Sequence, residues 1–88
     1  MDLETEVCFS IWLGNDKDQF LEKTYPAHNI PIPRKGEIIL WEEEHLVTDV
    51  KYCFNEDSLT SIEVSLDSWD PALNPDSYIH NFGFMLCE

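Results

Sequence analysis

The sequence predicts a small all-β domain: a five- to six-stranded antiparallel barrel of SH3-like type or a sandwich, with little helix. Short runs of alternating apolar and polar residues predict strands, and the Gly, Asn, Asp and Pro residues between them predict turns and loops. Short antiparallel strands tend to close on themselves, because closure removes exposed edges. The chain has 88 residues, of which 43% are hydrophobic. One modest core is therefore expected, with residues 1–88 as a single domain.

The first predicted strand has the clearest pattern. From Leu3 to Leu13 every second residue is apolar or threonine, and the residues between them are Glu4, Glu6, Cys8, Ser10 and Trp12. A period of two is typical of a strand with one buried face. It places Trp12, with Glu4 and Glu6, on the outer face. A turn is expected at 14–18, whereas residues 19–25 fit either a short strand or a helical turn.

A hairpin is predicted after a proline-bearing loop. Three prolines indicate an extended loop over residues 26–35. Residues 36–41 and 45–54 then predict two strands. The acidic residues 42–44 would form the tip between them.

The sequence after this tip predicts a bulge and a further strand. Val47 lies three residues before Val50, which breaks the alternation, and a β-bulge near Thr48-Asp49 would restore it. Residues 55–58 predict a turn. Residues 60–66 then alternate again and predict a strand.

The end of the chain is predicted to be a loop followed by a closing strand. Residues 67–76 carry two prolines and indicate a loop, in which Ser68 or Asp70 could cap one helical turn. Residues 77–86 predict the strand, with one side formed by Tyr78, His80, Phe82, Phe84 and Leu86.

Charge is the strongest functional signal in the sequence. Eighteen acidic residues stand against five basic ones, for a formal net charge of −13. Such a chain repels nucleic acid and anionic membranes and attracts basic protein surfaces. Direct nucleic-acid binding is not expected, because a basic footprint is missing. The net charge also exceeds the magnitude of about 2–8 that serves solubility in a small domain.

The cysteines indicate a reducing compartment. Cys8, Cys53 and Cys87 are odd in number and widely spaced, which favours free thiols over a disulfide framework or a zinc site. The acidic start of the chain does not resemble a signal peptide. No uncharged run approaches the roughly 20 residues of a spanning helix. We therefore expect a soluble, cytoplasmic protein that does not interact with membranes.

The tip sequence Trp41-Glu-Glu-Glu-His45 invites a metal or catalytic interpretation. Glu42, Glu44, His45 and Asp49 offer oxygen and nitrogen ligands, but the calcium-loop and H-x-x-x-H patterns are absent. The nucleophile motif G-x-S-x-G is absent as well. A charged hairpin tip is the favoured interpretation, so we expect no metal, no cofactor and no enzymatic activity.

The segment from Pro33 to Leu66 resembles short phage and mobile-element β proteins. In these a P-x-x-G-[D/E] pattern opens a strand, a tight hairpin follows, and a V-x-x-V strand and an alternating strand complete the unit. The matching positions here are Pro33, Gly36, Glu37, Ile38, Val47, Val50, Ile62, Val64 and Leu66. The resemblance implies an SH3-like small barrel and a phage or mobile-element origin.

The sequence thus predicts a non-enzymatic acidic protein that binds a basic protein surface. Its most specific form is a nucleic-acid-mimicking inhibitor of a host nuclease or defence complex, with a nucleic-acid-binding enzyme as partner. The predicted contact residues are Glu4, Glu6, Trp12, Trp41, Glu42, Glu43, Glu44, Glu56, Asp57 and Glu63. The alternative is a structural or assembly module, such as a phage accessory protein, without a nucleic-acid link. The oligomeric state stays open, and a dimer is compatible with the sequence.

Overall fold

The computed structural model describes residues 5–14, 19–67 and 74–87. Six strands and one α-helix follow one another along the chain. They are β1 (Glu6–Trp12), β2 (Phe20–Pro26), β3 (Ile38–Leu40), β4 (Glu44–Asn55), β5 (Ser58–Leu66), α1 (Pro75–Phe82) and β6 (Met85–Cys87). The predicted β domain with little helix is confirmed.

All six strands belong to one curled sheet that forms a half-barrel, in the order β3-β4-β5-β1-β2-β6. Four of the five pairings are antiparallel, as predicted, and β1 with β5 is the parallel exception. β2 occupies one side of β1, so the β4–β5 hairpin adds to the other side. β5 is the strand of this hairpin that pairs with β1, and it runs in the same direction as β1. The strands β3 and β6 form the two edges.

The inner face of the sheet carries the core. The alternating residues of β1 and β5 point inward as predicted, and the buried apolar residues of the sheet are Val7, Phe9, Ile11, Leu21, Val47, Ile62, Val64 and Leu66. The register of β4 against β5 shifts between Val47 and Asp49, which confirms the predicted bulge. Because of this shift, Val47 and Val50 both face inward, and Asp49 faces outward.

The prediction of a strand over 77–86 is wrong, because α1 occupies residues Pro75–Phe82. The Asn74 side chain accepts the Asp76 N–H at 3.0 Å and caps the helix, and Pro75 suits its first turn. The helix ends at Gly83, whose φ of 75° is the left-handed conformation that glycine adopts without strain. Tyr78 is fully buried under the half-barrel. Only Met85–Cys87 form a strand, which pairs with β2.

The proline-bearing region is also more regular than predicted. β2 extends through Pro26, and a short 3₁₀ turn follows at Ala27–Asn29. Ala27 is buried, and its N–H donates to the Thr5 carbonyl at 2.9 Å. The predicted strand over 36–41 is limited to Ile38–Leu40. The predicted turn at 14–18 lies largely outside the described residues.

Candidate protein-interaction surface

The acidic tip lies between β3 and β4, as the sequence predicts. Leu40 pairs with Glu44 across the hairpin, and the Trp41 N–H donates to the Glu43 carbonyl at 3.3 Å. The side chains of Glu42, Glu43 and Glu44 are all exposed. The Ser77 hydroxyl, on α1, donates to the Glu42 carboxylate. The tip is thus attached to the helix by one of its own carboxylates.

A buried hydrogen-bond network fixes the backbone of this tip. His45 is only 3% exposed, and its Nε2 lies 2.6 Å from the Tyr78 hydroxyl oxygen. The same oxygen accepts the Glu43 N–H at 3.1 Å. On its other side, His45 Nδ1 lies 3.7 Å from an Asp67 carboxylate oxygen. The helix therefore holds the tip through Tyr78.

The imidazole in this network is kept neutral. Burial lowers the pKa of His45, and this outweighs the opposing influence of the Asp67 and Glu43 carboxylates. A neutral ring satisfies both neighbours if Nδ1 carries the proton towards Asp67 and Nε2 accepts the Tyr78 hydroxyl proton. His45 is therefore a buried member of the network that holds the tip.

Trp41 forms a wall of an apolar cleft and is not a freely exposed side chain that could anchor a partner. Its ring makes edge contacts with Phe9 and Phe84, at centroid distances of 5.5 and 5.0 Å. The cleft has a volume of about 370 Å³, and its other walls come from Tyr25, Ile30, Ile32, Ile38 and Ile39. Glu37 is the charged residue in its lining. An apolar recess therefore adjoins the acidic tip.

The outer face of the sheet carries a second set of carboxylates. Strand residues that point away from α1 include Glu6, Glu22, Glu44, Asp49 and Glu63. Lys51 is the basic residue among the described strand positions on this face, and its Nζ lies 3.9 Å from Glu63. Trp12 is 53% exposed on the same face, as its alternation predicts.

The predicted contact residues do not form one patch. Glu6, Trp12 and Glu63 lie on the outer face, which Glu44 extends at one end, whereas the Glu42 carboxylate contacts Ser77 on α1. Glu56 and Asp57 occupy the β4–β5 turn, at the other end of β4. A strand of twelve residues separates the two ends by roughly 36 Å. The predicted residue Glu4 lies outside the described residues, as does Trp69.

Two acidic residues of the outer face were missed by sequence reasoning. Glu22 lies in the segment that fitted either a strand or a helical turn, so its facing could not be assigned. Asp49 lies at the bulge, where the alternation that assigns a face is interrupted. The structure resolves this ambiguity, because β2 pairs with β1 and places Glu22 opposite Ser10.

The outer face also carries the cysteines, each beside a carboxylate. The Cys8 thiol donates to Glu22 at 2.9 Å, the Cys87 thiol lies 3.6 Å from the other oxygen of Glu22, and the Cys53 thiol donates to Glu63 at 3.3 Å. Burial, followed by the Glu22 carboxylate, raises the pKa of Cys8 to about 12. Burial and Glu22 also raise the pKa of Cys87. Both thiols are therefore protonated at neutral pH and are poor nucleophiles.

Across residues 5–14, 19–67 and 74–87, no three His, Cys, Asp or Glu side chains are placed to share a metal ion. In the same residues, no helix has the length and apolar character needed to cross a membrane. Comparison of the chain with family models, with curated proteins and with solved structures found no match.

Proposed function

We propose that this chain is a non-enzymatic interaction protein that binds a basic protein surface through its acidic tip and the outer face of its sheet. This proposal is carried by the carboxylates on the outer face of the sheet, where Lys51 supplies the one amine among the described strand positions. The net charge of −13 supplies a long-range field of the same sign. Complementary charge accelerates encounter and selects the partner, while exposed aromatic residues add contact area.

The partner class that fits best is a protein with a nucleic-acid channel. Duplex DNA presents regularly spaced anionic groups along its length. Here carboxylates occur from the tip at Glu42 to the turn at Asp57, and the longest dimension of the molecule is 41 Å. This arrangement supports a nucleic-acid-mimicking inhibitor of a host nuclease or defence complex. The phage or mobile-element origin that we propose rests on the resemblance of residues 33–66, and the proposed place of action is the cytoplasm.

Competition with DNA tests the mimicry. The immobilised protein is expected to capture basic proteins from a host lysate, and an added duplex of about 30 base pairs should release them, because both ligands would occupy the same channel. Mass spectrometry of the released fraction identifies the partners. A neutral polymer of similar length is the control. If the duplex releases no more of the captured protein than the neutral polymer does, the mimicry is wrong.

An assembly module is the second candidate, and exposed apolar residues favour it. Ile38 and Leu40 on the edge strand β3 are 60% and 67% exposed, and Leu46, opposite Ile38, is 42% exposed. An open edge with apolar side chains can pair with another chain. Such association would depend on apolar contact and would therefore respond little to salt.

A further inference from the structure

A recess crosses the outer face of the sheet, away from the tip and from the cleft beside Trp41. Its volume is about 530 Å³, and four neighbouring strands contribute to its lining. The floor lies below the surrounding side chains because Ser10 and Ser65, which lie directly opposite each other on β1 and β5, have small side chains. Larger residues on the flanking strands form its walls.

Carboxylates stand on both sides of this serine floor. In the register of the sheet, Asp49 lies beside Ser65, and Glu22 lies beside Ser10. These four residues therefore form one row across the sheet, with an acid at each end. At the usual spacing between strands, the Cα atoms of the two acids are roughly 14 Å apart. Glu63, two residues from Ser65 on the same face, adds a third carboxylate.

Aromatic rings line the same recess. Trp12 and Phe20 are directly opposite each other on β1 and β2, and both contribute to the lining. Trp12 is 53% exposed, although an indole ring of this size gains from burial. The face of an aromatic ring attracts a cation, and tryptophan does so most strongly. Rings and carboxylates thus surround one space.

An amine of the chain itself already lies in this recess. The Lys51 Nζ is 3.9 Å from Glu63, with 73% of the lysine side chain exposed. One amine against three carboxylates leaves a local excess of two negative charges, from Glu22, Asp49 and Glu63. The contact of Lys51 with Glu63 shows that the recess accommodates a cationic group. Because the lysine side chain is highly exposed, this ion pair is weak, and a cation that binds the carboxylates more tightly can displace it.

We propose that this recess binds one arginine side chain of the basic partner, with the guanidinium between the Trp12 ring and the flanking carboxylates. Arginine fits better than lysine because its planar group stacks on an aromatic ring while its N–H groups donate to carboxylates. The serine hydroxyls of the floor supply acceptors for the remaining donors. This inference rests on the proposed function in one respect: it takes its ligand from a basic partner.

A short peptide tests the site without the unknown partner. The probe is a pentapeptide with blocked ends and a single arginine among glycines and serines, and its control carries citrulline, which has the same shape without the charge. Titration followed by amide NMR should shift the signals of the Trp12 indole, Ser10 and Ser65 with the arginine peptide. The citrulline peptide should shift them about tenfold less at equal concentration.

Variants locate the binding. Trp12→Ala and Asp49→Asn are each expected to weaken arginine-peptide binding about five- to tenfold. Tyr52→Ala is the matched control, because Tyr52 is also 53% exposed but lies on the inner side of β4, opposite Ile62. Lys51→Gln should strengthen binding about two- to fivefold, since it removes the competing amine.

The outcomes separate this site from the general proposal. If arginine and citrulline peptides behave alike, or if Tyr52→Ala weakens binding as much as Trp12→Ala, the recess is not an arginine site. The proposed function would then still be tested independently, by the capture of basic proteins with the full chain. If the peptide binds as described but the chain captures no basic protein, the recess stands and the proposed function is overturned.

Discussion

Replacing Tyr78 with phenylalanine is expected to lower the free energy of unfolding by about 2–4 kcal/mol. The hydroxyl oxygen joins two groups of the tip, His45 Nε2 at 2.6 Å and the Glu43 N–H at 3.1 Å. Tyr78 is fully buried, so water cannot readily replace the hydroxyl that is lost. Urea denaturation measures the change, and faster hydrogen exchange at the Glu43 amide should accompany it.

Tyr52→Phe provides the matched control for this experiment. It removes the same kind of hydroxyl from a side chain that is 53% exposed. The free energy of unfolding is therefore expected to change by no more than about 0.5 kcal/mol. Equal stability of the two variants would contradict the structural role assigned to the network. In that case the β3–β4 pairing and the Ser77–Glu42 hydrogen bond would be sufficient to hold the tip.

Reversing two charges at the tip, Glu42→Lys with Glu44→Lys, is expected to weaken binding of a captured basic partner by about 10–100-fold. Both side chains are exposed, and Ser77 donates to the Glu42 carboxylate, which orients it before any partner arrives. Pre-oriented charge loses less freedom on binding. Surface plasmon resonance with the purified partner measures the dissociation constant, and a urea midpoint close to that of the wild type verifies the fold.

Glu56→Lys with Asp57→Lys gives the same change in net charge at the other end of β4. This turn is separated from the tip by a strand of twelve residues, a distance well beyond the Debye length of roughly 8 Å at physiological salt. A smaller loss of affinity is expected, because this end lacks the apolar cleft beside Trp41. Equal losses for the two pairs would show that net charge alone, and not the tip, determines binding.

The parts of the fold that the sequence predicts correctly are those with local, unambiguous patterns. β1 and β5 alternate strictly, so their inner residues could be named in advance. The spacing of Val47 and Val50 located the bulge for the same reason. The hairpin tip followed from the two strands beside it.

The helix was missed because its pattern satisfies two periods at once. Tyr78 and Phe82 are four residues apart, so they share a face both in a strand and in a helix. The decisive signals were the cap at Asn74 and the left-handed Gly83, which stand at the two ends of α1. Phe84, which continues the alternation, reaches the core from beyond the helix.

The candidate site depends on pairings that one sequence does not reveal. The contact of His45 with Tyr78 joins residues 33 positions apart, and Tyr78 belongs to a helix that was predicted to be a strand. The row from Asp49 to Glu22 depends on the parallel register of β1 and β5. Composition predicted the acidity and alternation predicted the exposure of Trp12, but only the sheet order brings these residues to one recess.

Capture from a host lysate at two ionic strengths tests the central claim most directly. We expect the proteins retained by the immobilised chain at about 0.05 M salt to be rich in Lys and Arg. They should be released at about 0.5 M, where screening removes most of the attraction between exposed charges. Retention that is indifferent to salt, or retention of the chain's own copies and neutral proteins alone, would contradict it. That result would instead favour association through the apolar edge at β3.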